Sequence, residues 1–170
     1  EAGNDPPRGR AGSDTLSGEE GNDAIEGGEG DDFVGGGSGA DTLAGGDGSD
    51  LIRGDGGNDL IFGGSEFDVL EGGSGNDTLF GGTGIDVLLG QEGDDFLDGG
   101  FDGDRIFGGN GEDVLSGGDG FDYLDGGSGN DTLTAGGGID SLAGEAGDDT
   151  YEINLTDDLG RTPVGHAIVV

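Results

Sequence analysis

Large apolar residues recur along this chain at every ninth position: Leu16, Ile25, Val34, Leu43, Ile52, Ile61, Leu70, Leu79, Leu88, Leu97, Ile106, Leu115, Leu124, Leu133, Leu142 and Tyr151. Each stands two residues after an aspartate of the series Asp14, Asp23, Asp32 and onward in steps of nine to Asp149. Between them the pattern is polar and glycine-rich, so that the copy from Gly72 to Phe80 reads G-G-x-G-x-D-x-U-x, with U apolar. Sixteen copies follow one another without insertion, and a period this regular predicts a stacked repeat in place of a separate globular core. In an extended segment successive side chains face opposite sides. Position 8 of each copy is therefore expected to point inward and positions 7 and 9 outward, giving one column of aliphatics per face.

Composition narrows the picture. The glycine period is nine, not three, and there are only three prolines, so collagen is excluded. Without cysteine there is neither a disulfide framework nor a thiolate metal site. No apolar run is long enough to span a bilayer, which argues against membrane insertion. Five basic against 39 acidic residues give a formal charge of -34, which disfavours nucleic acid and anionic membranes as partners and calls for a cationic one. The chain opens at Glu1 without Met or a leader-like segment and reads as part of a larger protein.

The repeat block, Gly9 to Glu152, is 144 of the 170 residues, and it resembles the glycine- and aspartate-rich nonapeptide repeat of the RTX (repeats-in-toxin) family. That resemblance implies an all-β fold, a right-handed parallel β-roll or solenoid in which each repeat is a glycine-rich turn followed by a very short strand and two repeats make one coil. It further implies Ca²⁺ between turns two repeats apart, held by sixth-position carboxylates and by main-chain oxygens of the glycine-rich positions. Here the carboxylates are those of Asp23, Asp32, Asp41, Asp50, Asp59, Asp68, Asp77, Asp86, Asp95, Asp104, Asp113, Asp122, Asp131, Asp140 and Asp149. The matching glycines are Gly28, Gly30, Gly37, Gly39, Gly46, Gly48, Gly57, Gly73, Gly75, Gly82, Gly84, Gly93, Gly109, Gly111, Gly118, Gly120, Gly127 and Gly129. Asp77 is expected to share ions with Asp59 and Asp95 and not with Asp68 or Asp86. For the family, folding on calcium accompanies type I export, which implies a secreted or cell-surface location.

The lapses in the pattern are informative. Glu19 and Glu20 disturb the second copy, and ligation by the first two turns is expected to be weak. Glu66 and Asp102 replace the fourth glycine, Asp55, Gln91 and Glu145 the second, and Ala135 the first. A residue with a Cβ at a left-handed turn position costs about 1–2 kcal/mol, so Glu66 and Asp102 mark strained or altered turns. Asn22, Asn58, Asn76 and Asn130 at position 5 read as turn-formers and not ligands. Residues 1–8, with Pro6-Pro7, read as a linker, and residues 153–170 as a capping strand or the start of a further segment.

Calcium suits these residues chemically, because it accepts six to eight oxygens in forgiving geometry whereas zinc prefers nitrogen or sulfur, and His166 is the single histidine. Pairing each Asp with the one eighteen residues on allows up to about fourteen ions, which would offset 28 of the 34 negative charges. One aliphatic per nine residues is too little burial to order the chain alone. The metal-free chain is accordingly expected to be largely disordered and to fold on Ca²⁺. No catalytic constellation is present: neither G-x-S-x-G nor H-E-x-x-H occurs, and an enzymatic role would need another domain. Outward apolar stripes, Phe33, Leu51, Val69, Val87, Leu89 and Phe107 on one face and Leu60, Phe62, Phe80, Phe96 and Val114 on the other, are candidate contacts for a neighbouring domain or another copy. Two functions follow: a calcium-conditional folding and export module of a secreted bacterial protein, or a structural building block of an extracellular adhesin, surface layer or filament.

Overall fold

The computed structural model describes residues 8–152. The expected linker lies outside the described residues except for Arg8, and the expected segment 153–170 lies outside them altogether. Among the described residues all regular structure is β-strand. The strands form two sheets, one of eight strands from Thr15–Glu20 to Ser141–Ala146, the other of nine from Ala24–Glu29 to Thr150–Glu152. Consecutive strands alternate between the sheets, except that Thr132–Thr134 and Gly137–Gly138 both join the nine-stranded one, and every hydrogen-bonded neighbour is eighteen residues away and parallel, as in Leu16↔Val34 and Ile25↔Leu43. One coil is therefore two repeats, and the block winds into a parallel solenoid of about eight turns.

Position 8 faces inward throughout. The side chains from Ile25 to Leu133 are buried in one continuous core, and Leu16, Leu142 and Tyr151 pack partly buried at its ends. Positions 7 and 9 are half-buried or exposed, as alternation requires, apart from the buried Gly35. On one outer face Phe62, Phe80 and Phe96 stack in succession, with ring centroids 5.4 and 5.8 Å apart. On the other, the Phe107 ring meets Tyr123 at 5.7 Å, and the Arg53 guanidinium lies 5.9 Å from the Phe33 ring. The aromatic stripes thus satisfy part of their own contact area between coils.

The strands are longer than the family resemblance implies. Phe33–Ser38 is typical: it starts at position 7, runs through the glycine pair and ends at position 3, leaving only positions 4 to 6 as the turn. The reason is that the second and third positions remain paired with the next coil, as in Gly37↔Asp55 and Ser38↔Gly56. The register passes over position 1: Gly35 pairs with Arg53 and Gly37 with Asp55, while Gly36 and Gly54 have no ladder partner.

The lapses in the glycine pattern sit where strain was expected. Glu66 and Asp102 have φ of 79° and 73°, and Glu19, Asp55, Gln91 and Glu145 have φ between 64° and 80°. All six are left-handed, a conformation rare for a residue with Cβ.

Candidate metal centre

The sixth-position aspartates form two ladders, one along each turn edge. In one, Asp14 N–H donates to Asp32 Oδ1, Asp32 to Asp50, and so on through Asp122 to Asp140; in the other the chain runs from Asp23 and Asp41 to Asp131 and Asp149. These bonds are 2.7–3.0 Å long. Asp59 N–H donates to Asp77, and Asp77 N–H to Asp95, so Asp77 belongs with those two. Asp68 and Asp86 lie in the other ladder.

From Asp23 to Asp131 every one of these carboxylates is buried, and the second oxygen, Oδ2, has no hydrogen-bond partner in thirteen of them. What Oδ2 faces is the first glycine of its own repeat. A methyl built on Gly63 would lie 2.6 Å from Asp68 Oδ2 and 2.6 Å from the carbonyl oxygen of Gly81 in the next coil. The same two oxygens meet at Gly18, where Asp23 Oδ2 and the Gly36 carbonyl are each 2.6 Å from that point, and at Gly117, where Asp122 Oδ2 and the Ala135 carbonyl are each 2.5 Å away. Position 1 is outside the ladder register, and its carbonyl oxygen lies against the cradle of the preceding coil. Position-1 glycine is therefore required for space, since its φ is not positive, whereas the second and fourth glycines, with φ such as 106° at Gly37 and 133° at Gly39, are required for backbone conformation.

Ala135 shows what a methyl does there. At this copy the strand breaks after Thr134 and resumes only at Gly137–Gly138; Asp140 is half-buried, as are the ladder-end Asp14 and Asp149. The next copy, whose turn lies on the other edge, is also distinctive. Gly144 N–H donates 2.9 Å to the Tyr151 hydroxyl, which lies beside Asp149 Oδ2.

The donor set is entirely hard oxygen. Among the described residues no group of three or more His, Cys, Asp or Glu side chains converges, so any ion must draw most of its ligands from main-chain carbonyls. That fits a cation accepting carboxylate and carbonyl oxygens together, as calcium does. The carboxylates expected from the sequence are brought together in two ladders. The first glycines, from Gly18 to Gly126, line these cradles and are absent from the sequence expectation; glycine at position 1 in fifteen of the sixteen copies is the signal that marks them. The second- and fourth-position glycines instead stack on their own counterparts: a Cβ on Gly84 would strike the Glu66 carbonyl. At the strained turns the geometry survives, with Asp68 and Asp104 accepting 2.8 Å bonds like the rest. Asn22, Asn58, Asn76 and Asn130 accept backbone N–H groups from the next coil at 3.0–3.1 Å, which makes them inter-coil clips.

Burial disfavours the charged carboxylates and pushes Asp68, Asp77, Asp104 and Asp113 up to about 7, and Asp86 and Asp122 to about 6. The backbone N–H bond opposes this rise and neighbouring carboxylates add to it. Asp41, Asp50, Asp59, Asp95 and Asp131 are raised for the same first reason. In the metal-free chain the folded roll then holds protons that the unfolded chain, titrating near pH 3.9, has released. Its stability is fully present below about pH 4 and is lost as pH rises through about 6 to 7. Far-UV circular dichroism of the metal-free chain should show more β-structure at about pH 4 than at about pH 8; β-structure increasing with pH contradicts this.

A family model described as the RTX calcium-binding nonapeptide repeat (4 copies) matches residues 1–34, 8–43, 35–70, 71–106, 89–124, 107–142 and 125–152. The curated proteins yield no match.

Proposed function

The chain belongs to the family of RTX calcium-binding nonapeptide repeats and is a calcium-binding β-roll, and on that footing we propose that it is a module whose folding is conditional on Ca²⁺, with the ions seated along both aspartate ladders. The observation that carries this reading is the row of thirteen buried Oδ2 atoms without hydrogen-bond partners, each set against a glycine with no room for a side chain. Buried polar groups in folded proteins are satisfied, and buried charges are paired or coordinate metals. A divalent cation between coils supplies the missing partner and cross-links neighbouring turns. Seven intervals per ladder provide for up to about fourteen ions, with the Ala135 copy the weakest.

Such a module serves export: unfolded where calcium is scarce, it can pass through a narrow channel, and it locks into a roll outside the cell. The structural stiffness of a metal-linked solenoid also suits an extracellular building block, but the coincidence of metal seat and folding core favours the switch. The test is the calcium concentration at which the chain folds, read by circular dichroism alongside direct ion binding. Extracellular calcium modules bind at about 10⁻⁴–10⁻³ M, and a midpoint in that range with binding and folding coincident is expected, Mg²⁺ being ineffective. A midpoint below ~10⁻⁷ M, in the range of cytosolic buffers, would have the chain fold before leaving the cell and overturns the proposal.

A further inference from the structure

The two turn edges differ in chemistry at position 5. Along the edge that carries Asp23 to Asp149, this position holds Asn22, Ala40, Asn58, Asn76, Asp94, Glu112, Asn130 and Asp148, most of which clip one coil to the next. Along the other edge it begins with Ser13, Asp31 and Ser49 and then becomes Phe67, Ile85, Gly103, Phe121 and Ile139. Phe67 is 46% exposed, Ile85 52%, Phe121 72% and Ile139 71%. Where Gly103 lacks a side chain, Phe101 of the same turn stands out instead at 58% exposed.

Each coil from Phe67 to Ile139 thus offers one large apolar group to solvent, at the ~4.8 Å spacing of parallel strands, along roughly 19 Å of edge. A hollow lined by Phe33, Leu51, Phe67 and Val69 carries the apolar surface around the corner onto the adjoining sheet. Singly exposed apolar residues are ordinary, but a row that recurs in five successive coils along one edge is not. Exposed carboxylates that take no part in the ladders border the row: Asp47, Glu66, Asp102 and Asp119.

We propose that this edge is a docking surface for a cationic amphipathic helix of a partner protein, with its apolar face on the Phe67 to Ile139 row and its Lys or Arg side chains against the bordering carboxylates. A strand partner is disfavoured because the turn backbone is already bonded between coils, as in Gly30 N–H to Asp47 O and Gly48 N–H to Ser65 O. A helix presents apolar groups at i, i+3, i+4 and i+7, about 5 Å apart along its axis, close to the coil spacing. A second copy of the chain is disfavoured by charge, since it would bring the same carboxylate border and the chain has five basic residues in all. The edge exists in any folded roll, so the proposal stands apart from whether folding is calcium-conditional.

The probe is a synthetic helical peptide of about four turns with Leu on one face and Lys on the other, titrated by fluorescence anisotropy into the full, calcium-loaded chain, beside a matched Leu/Glu peptide. The Leu/Lys peptide is expected to bind, the Leu/Glu peptide not to, and the double variant Phe67→Ser/Phe121→Ser to bind the first at least tenfold more weakly. Serine already holds this position at Ser13 and Ser49, so the fold is retained; Ile85→Ser/Ile139→Ser provides a second pair with the same expected loss. Asn58→Ser on the opposite edge should leave binding unchanged. Wild-type binding by both serine pairs would reduce the effect to bulk charge and overturn the proposal. So would equal binding of the Leu/Glu peptide, or a calcium-loaded wild-type dimer that becomes monomeric in the Phe variants, which would make the occupant a second copy.

Discussion

Excess EGTA is expected to abolish essentially all the β-sheet signal of the calcium-loaded chain at neutral pH, and restored calcium to return it. Thirteen buried carboxylate oxygens have no hydrogen-bond partner in the protein. An unsatisfied buried polar group costs about 1–3 kcal/mol, and more when charged. Thirteen of them, even at the lower figure, offset a typical net folding stability of roughly 5–15 kcal/mol. The ladders aggravate this, because Asp50, Asp68 and Asp86 and their counterparts hold like charges in file along the roll. The core that resists these terms is one aliphatic side chain per nine residues. A native-like far-UV spectrum persisting in EGTA at neutral pH would show that strand pairing alone sustains the roll.

The second large effect is expected from a single methyl group. Gly63→Ala places Cβ 2.6 Å from both Asp68 Oδ2 and the Gly81 carbonyl, inside any real carbon–oxygen contact, and the carbonyl belongs to a backbone that cannot step aside. Overpacking alone costs about 1–3 kcal/mol, and the cradle is closed as well. The variant is therefore expected to bind one calcium fewer, by equilibrium dialysis, and to melt at lower temperature in saturating calcium. Gly35→Ala is the matched control: it also lies in a strand, but a Cβ there meets nothing closer than 3.8 Å, so both quantities should stay at wild-type values. Ala135 is the same experiment already present in the chain, with its interrupted strand, and Ala135→Gly should add an ion and mend the strand. Unchanged stoichiometry in Gly63→Ala and Ala135→Gly, in a chain that binds calcium normally, would place the ions elsewhere.

Much of this arrangement is legible in the residues. The ninefold return of Asp and of a large aliphatic defines the buried column, and the comparison of residues eighteen apart defines which aspartates share a ladder. The role of the first glycine is not legible in the same way. Written as G-G, the pair looks like one flexible turn, yet Gly37 is needed for its φ of 106° while Gly36 is needed because Asp41 Oδ2 occupies the place of a side chain. Composition does not separate a conformational demand from a spatial one. For the same reason the strands look shorter in sequence than they are, since glycine in Gly36-Gly37-Ser38 suggests a turn where the ladder continues through Gly37↔Asp55. The row from Phe67 to Ile139 is hidden by reading nine residues at a time. Position 5 then mixes phenylalanine with asparagine, and only the separation into two edges shows that its large apolar residues, Phe67, Ile85, Phe121 and Ile139, all fall on one of them.

That separation gives the gene a unit larger than the visible motif. Duplicating or deleting nine residues preserves every motif downstream yet moves each following turn to the opposite edge, so Phe121 and Ile139 would part from Phe67 and fall in line with Asn58 and Asn76. An eighteen-residue change lengthens or shortens the roll by one coil and leaves both edges in phase. The heritable module of this protein is the coil, and its reading frame has a period of eighteen codons.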